Sequence, residues 1–441
     1  MKKIIIAITV LLAAGIGGGL WWHAQQATPT RAITNSATPT LWVLSDPHFI
    51  SPTIHDQGSA FKFIKRTAVG KDLDYQTQTI TALVAKAKKA HPDALIITGD
   101  ITLNGEKKSA EDLSQRLAPL TKAGIKLLIM PGNHDIYDGW ARSFKGADQL
   151  RTDQISPNDW QTIWHSSYAQ AASTDASSLS YRVNLNHDYQ LICLDSNIYG
   201  VQQSSTQPNT GGELKPATMK WLKQQLIAGQ KSNRRSLVFM HHNLYRHNQQ
   251  VYQGFVLNNA PQLRTLLDDY NVPVLFSGHI HAQDISADPQ KKHHVIEVVS
   301  GSFATSPNAY GVVKLSKHHF NYREQRLSLT ATLTKKERQN PDLLHHQAYL
   351  KQLFIESGEG LAYRELPEGL SQAKADQAAQ LLGNLNWRYF TGQNRPSQTE
   401  LAAIKKAAGY QTLAAVPEIK AYLETILVDH NLPNDHLDLT Y

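Results

Sequence analysis

Aspartate and histidine recur in this 441-residue chain at spacings that let their side chains converge. Asp46 and His48 lie two apart around Pro47, and His279 and His281 repeat that spacing. Asp100 follows Gly99, while Asn133, His134 and Asp135 follow Gly132, and His241 adjoins His242. No thiolate belongs to the set, because the only cysteine, Cys193, lies in the apolar run Leu191–Leu194 and reads as a buried core thiol. Carboxylate, amide and imidazole ligands together suit Mn, Fe or Zn better than Ca or Mg. A carboxylate such as Asp100 can bridge two cations through its two oxygens. Glycines at 99, 132 and 278 let the backbone turn sharply and approach a phosphate closely.

Every one of these clusters closes a short apolar, β-rich run. Leu41–Leu44 leads into Asp46 and His48, Ala94–Ile97 into Asp100, and Lys126–Met130 into Asn133 to Asp135. Ser236–Met240 leads into His241, and Pro273–Phe276 into His279 and His281. Between the runs, Tyr75–Ala90, Ser109–Ala123, Pro216–Gly229 and Pro261–Tyr270 have helical spacing, the last two starting at proline. Strands alternating with helices predict an α/β domain, in which ligands sit beyond the carboxyl ends of the strands. All five clusters occupy that position, so one site is predicted. The runs Ser180–Leu185, Tyr189–Leu194, His294–Val299 and Gly311–Leu315 read as antiparallel strands, giving two packed sheets over residues 41–330.

Asp-x-His, Gly-Asp, Gly-Asn-His-Asp, His and Gly-His-x-His, in that order, resemble the calcineurin-like metallophosphoesterase superfamily. Gly99–Glu106, Leu194–Asn197 and His241–Leu244 make the resemblance closest to class III cyclic-nucleotide phosphodiesterases with a helical C-terminal domain. The resemblance implies a two-sheet sandwich flanked by helices, and two divalent or transition metal ions, Mn, Fe or Zn. It implies that Asp46, His48 and His281 hold the first ion, that Asp100 bridges, and that Asn133, His241 and His279 complete the second. His134 would stay off the metals, stabilise charge and protonate the leaving oxygen, and Asp135 would orient it. His242 is expected to support the ligands from behind. His55, His247, His293 and His294 have no motif around them and read as surface histidines. Two such cations about 3.5–4 Å apart can activate water and clamp both reacting oxygens of an in-line displacement.

Composition sets the surroundings. The net charge of +7 is uneven: residues 335–441 hold 11 Lys/Arg against 13 Asp/Glu, leaving 33 against 24 in the remainder. A basic body suits a small anionic phosphate ester, and without a dense Lys/Arg cluster interleaved with aromatics no nucleic-acid polymer is expected. Lys2 and Lys3 precede the uncharged run Ile4–Trp22, the layout of an export signal or a membrane anchor facing outward. Residues 1–22 are read as that segment and 23–40 as a flexible linker. From 331 to 441 the chain reads as a small all-helical domain, with helices over Leu343–Ser357, Leu370–Tyr389, Thr399–Ala408 and Ile419–His430. His345-His346 lacks evident partners. The function predicted is a metal-dependent phosphodiesterase acting on cyclic or related nucleotides outside the membrane. An extracellular phosphomonoesterase or nucleotidase is the alternative. A non-catalytic envelope scaffold is a third, against which seven intact ligands speak.

Overall fold

The computed structural model describes residues 32–441. The export or anchor segment and most of the expected linker lie outside the described residues, among which no helix is long and apolar enough to cross a membrane. Residues 33–36 do not behave as a linker. The amides of Ile33 and Thr34 donate to Asn184 and Leu185 carbonyls, and Ile33 joins the core.

The chain lays down β1 (Thr40–Leu44), β2 (Ala94–Ile97), β3 (Lys126–Ile129) and a hairpin of β4 (Arg142–Lys145) and β5 (Asp148–Arg151). There follow β6 (Ser173–Thr174), β7 (Tyr181–Asn184), β8 (Tyr189–Cys193), β9 (Arg235–Phe239), β10 (Val274–Ser277), β11 (Asp284–Ser286) and β12 (Ile296–Val299). The last strands are β13 (Ala309–Leu315), β14 (His319–Arg326) and β15 (His436–Thr440). One sheet has the order β15-β14-β13-β1-β2-β3 and the other β11-β12-β10-β9-β8-β7-β6. β1, β2 and β3 run parallel, as do β8, β9, β10 and β12. The expectation that the strand at 294–299 is antiparallel is therefore corrected: β12 pairs with β10 in parallel, and only its other neighbour, β11, is antiparallel.

Two-residue alternation builds the layers. Leu41, Val43, Ala94 and Ile96 of the first sheet meet Tyr181, Leu191, Phe239 and Phe276 of the second in one buried interior. Their neighbours Trp42, Leu44, Leu95 and Ile97 face outward against the helices Gln76–Ala90 and Lys107–Lys122. On the far side, Ile192, Val238 and Leu275 pack under the helices Pro216–Lys231 and Ala260–Asp269. The result is a helix–sheet–sheet–helix sandwich. Cys193 is buried in its interior, and burial pushes the thiol up to about 12.

Helices at His346–Glu365, Gln372–Phe390, Gln398–Lys406, Ala408–Ala414 and Pro417–Ile426 make the C-terminal region. It is not all helical. The chain returns as β15, which adds to β14 at the edge of the first sheet. Only Leu437 of that strand is buried, so the segment carries too little apolar signal to stand out in the sequence.

Candidate metal centre

The turns after β1, β2, β3, β9 and β10 meet at one end of the sandwich. Two groups of ligand atoms form there: Asp46, His48, Asp100 and His281, then Asp100, His241 and His279, with Asp100 common to both. Asn133 joins the second, its Oδ1 lying 3.1 Å from His241 Nε2. All seven predicted ligands are thus brought together.

The glycines permit sharp turns, as Gly99 shows with φ of 113°, and a close packing of the turns on one another. A Cβ on Gly132 would collide with Asp100, and one on Gly278 with Ser45 and Asp46. They let the turns that carry the predicted ligands approach one another. Further crowding appears in the backbone. Asp46, His48, Asp100, His279 and His281 have φ of 53°, 41°, 45°, 69° and 61°. Each left-handed non-glycine residue costs about 1–3 kcal/mol, held by the surrounding structure.

The ring and carboxylate contacts fix which atom faces the centre. His241 Nδ1 donates to the Thr98 carbonyl at 3.0 Å, leaving Nε2 inward. His279 Nε2 donates to the carbonyls of Thr210 and Gly254, both at 2.9 Å, which leaves Nδ1. Asp100 Oδ1 accepts the His134 amide at 2.9 Å. Its Oδ2 lies 3.7 Å from His48 Nε2 and 3.4 Å from His241 Nε2. One oxygen, not two, therefore stands between the two groups. His281 Nε2 is 3.3 Å from Asp46 Oδ1 and 3.0 Å from His48 Nε2. Ligands bound to one cation at 2.0–2.2 Å stand roughly 3.0–3.5 Å apart; the 3.0, 3.3 and 3.4 Å separations match, and His48 stands slightly farther from Asp100 at 3.7 Å. Asp46 Oδ1 is buried with no hydrogen-bond partner, so the residues fit divalent metal ions.

Electrostatics point the same way. Burial opposes ionisation of Asp100, yet His241 and His134 outweigh it and hold the carboxyl well below its usual range. Burial likewise opposes charge on His241, but Asp100 lifts that imidazole to about 9. Burial pulls His48, His279 and His281 the other way, towards the neutral form that binds metal, and a metal on His241 Nε2 would displace its proton.

His134 stands beside this set, its ring centre 5.6 Å from that of His48. Here the structure corrects the prediction for Asp135. His134 Nδ1 donates to Asp138 Oδ2 at 3.1 Å. Asp135 instead accepts the amides of Gly132, Ile101 and Thr102 at 2.8, 3.0 and 2.9 Å, tying the turn after β3 to the turn after β2. Asp138 lies four residues beyond His134 in a non-helical turn, a spacing with no motif to flag it. Burial pulls the His134 imidazole down, but Asp100 and Asp138 outweigh it and raise it above the ordinary value.

Supporting residues complete the centre. His242 accepts from Ser196 Oγ at 2.8 Å and packs against His279 with ring centres 4.5 Å apart. Asn197 donates to the Pro131 carbonyl at 2.8 Å, and Asn243 to that of Gly278 at 2.9 Å. Of the four histidines expected at the surface, His247 has a buried side chain, and His55 and His293 are half-buried and partnered. His247 is clamped between Asp284 and Glu297; burial opposes its charge, but Glu297 and Asp284 raise it to about 10. His55 stacks on Phe61 with centres 3.8 Å apart, and His293 donates to Asp268 at 2.6 Å. His294 is exposed, as expected. His346 has a partner after all, donating to Asp72 at 3.1 Å.

Lys71 was invisible in the sequence because it sits in an unpatterned loop. It is half-buried and makes no ion pair among the described residues. Burial pulls its ammonium down, with Asp100 and Asp46, both predicted ligands, pulling it back up. Its segment is tied to the centre: Gln76 donates to the His48 carbonyl at 2.8 Å, and the Asp72 amide to Ala304 at 2.8 Å.

A two-sheet sandwich with paired ligand groups sharing one aspartate defines a metallophosphoesterase. Residues 39–283 match the family model of the calcineurin-like phosphoesterases, and the chain belongs to that family of phosphoric ester hydrolases. Residues 329–432 match a second model, the C-terminal domain of cyclic nucleotide phosphodiesterase. The chain is 26% identical over 201 residues to a protein of Vesicomyosocius okutanii subsp. Calyptogena okutanii (strain HA) named "Probable cyclic nucleotide phosphodiesterase". That match spans 45% of this chain and 66% of the relative. The crystal structure of a dimetal phosphatase from Danio rerio is similar with TM-score 0.49 and 12% identity, over 65% of this chain and 96% of that one. GAP50, the anchor in the inner membrane complex of Plasmodium, gives TM-score 0.40 and 15% identity, over 71% and 95%.

Proposed function

We propose that the protein is a binuclear phosphodiesterase acting on cyclic nucleotides or related diesters. The observation that carries the reading is the single oxygen, Asp100 Oδ2, standing between two groups of ligands. The C-terminal match over residues 329–432 supports the choice of diesters. Asp46, His48, His281 and Asp100 would hold one ion, and Asp100, Asn133, His241 and His279 the other. Bound there, the pair would supply Lewis-acid activation of water and of the phosphoryl oxygens.

The chain's own groups do the rest. Asp138 accepts the Nδ1–H hydrogen bond of His134, so Nε2 is the nitrogen free to give a proton to the leaving oxygen. When a P–O bond of a diester breaks, the leaving oxygen departs as an alkoxide, which needs that proton. Lys71, half-buried and in the field of Asp100 and Asp46, is the cation assigned to the non-bridging oxygens. The reading extends to location outside the cytoplasmic membrane, supported by Lys2-Lys3 ahead of Ile4–Trp22.

The test uses the full chain reconstituted separately with Mn, Fe and Zn. The kcat/KM for bis(p-nitrophenyl) phosphate is compared with that for p-nitrophenyl phosphate, then cyclic nucleotides with nucleoside monophosphates. Diesters are expected to be the better substrates. Faster turnover of monoesters throughout would overturn the reading in favour of a nucleotidase.

A further inference from the structure

An exposed tryptophan stands at the mouth of the centre. Trp140 is 46% exposed, and its ring centre lies 6.5 Å from that of His134. Large apolar side chains are normally drawn inward, and solvent exposure of an indole on an unanchored loop would need no explanation. This loop is anchored. The Trp140 amide donates to Asp138 Oδ1 at 2.7 Å, while Oδ2 of the same carboxylate holds His134. Arg142 donates to the carbonyls of Gly139 and Ala141 at 3.0 and 2.8 Å. Gly139 presses so closely on Thr206 that a Cβ would collide with it. The indole is therefore presented to solvent by a braced turn, and one buried carboxylate sets both its backbone and the proton donor.

We infer that Trp140 is the stacking platform for the nucleobase of a nucleotide substrate, which rests on the phosphoesterase reading above. The group joined to the leaving oxygen must depart from the His134 side of the phosphorus. In a nucleotide that group carries a planar base with an apolar face. Stacking on an aromatic side chain is insensitive to base identity, so the platform selects nucleotides as a class and leaves the base open. It acts on binding and not on the chemical step, which separates it from His134.

The experiment measures KM and kcat of the metal-reconstituted full chain for two substrate pairs. One pair is a cyclic nucleotide and the cyclic ribose phosphate lacking the base; the other is a nucleoside monophosphate and ribose phosphate. Trp140→Ala is expected to raise KM for the base-bearing member roughly 10-fold, with kcat nearly unchanged. The baseless member should be unaffected, and Trp140→Phe should recover most of the loss. Equal effects of Trp140→Ala on base-bearing and baseless members would overturn the inference. So would no effect on either. If only monoesters are cleaved, the diester reading fails, and the monophosphate pair still decides the role of Trp140. Circular dichroism of both variants identifies a folding defect. Should the Ala variant misfold, Trp140→Leu replaces it, keeping apolar bulk without a stacking face, and the same comparison of substrate pairs decides.

Discussion

At the centre, neighbouring residues that look alike in the sequence divide the labour. His134 and Asn133 are adjacent, yet only Asn133 faces a ligand group, while His134 is turned by Asp138. His134→Ala should lower kcat roughly 100-fold or more with metal content nearly normal. Asp100→Ala should lose metal, since both groups share that carboxylate. Parallel elemental analysis and kinetics check the pair, and equal metal loss in both would refute the division. Glu106, the last residue of the Gly99–Glu106 motif, makes a separate test. It is buried, accepts the Asn104 amide through Oε2 and leaves Oε1 without a partner. Burial raises its carboxyl from 4.5 to about 8. The folded state thus binds this proton more tightly than the unfolded chain. Its contribution to stability is complete below about pH 4.5 and lost as pH rises towards 8, by up to ~1.4 kcal/mol per pH unit. Glu106→Gln should flatten that decline in urea melts from pH 5 to 9. A slope identical to the wild type would rule the assignment out. The ligands were legible because each ends an apolar run. Asp138, Trp140 and Lys71 were not, because loop residues gain meaning only from where the turn points them.

Helices and strands explain how five turns hold one geometry. β1, β2, β3, β9 and β10 were readable as buried runs, since parallel central strands are apolar on both faces. Pairing between β10 and β12 was hidden by the intervening β11, and β15 by its exposure. The C-terminal helices are more than a roof. Ile280, between His279 and His281, is buried in a cluster with Ala378, Leu382, Tyr389, Leu413 and Leu423. The Gln283 amide donates to the Phe390 carbonyl at 3.0 Å, and Gln283 in turn donates to Asn434 at 2.8 Å. On the other flank His346 holds Asp72, one residue from Lys71. Ile280→Ala should therefore do two things at once. It should destabilise the protein by about 2–5 kcal/mol, the usual cost of such a truncation. It should also weaken metal binding, so that activity falls and excess metal restores much of it. Calorimetry and a metal titration of activity decide this. A stability loss with unchanged metal affinity would confine the cluster to packing.

For the molecule as a whole, these contacts make the catalytic sandwich and the C-terminal region one body. β15 extends a catalytic sheet through five register pairs with β14, from His319 opposite Thr440 to Arg323 opposite His436. Asn434 accepts the Ile285 amide at 3.2 Å, and Trp387 donates to Ser306 at 3.0 Å. Unfolding the C-terminal region alone would strip β14 of its outer neighbour and expose the apolar backing of the His279–His281 turn. An exposed, unpaired strand edge and a bared apolar surface are costly in water. The centre is the other constraint: five predicted ligands in left-handed conformation and a cluster of buried charge are held at its heart. Metal bound only by the folded state adds to the stability of everything that unfolds with it. The full chain should consequently melt in one calorimetric transition, and chelation should shift that whole transition to lower temperature. Two resolved transitions, with only one moved by the chelator, would show that the C-terminal region unfolds independently of the centre.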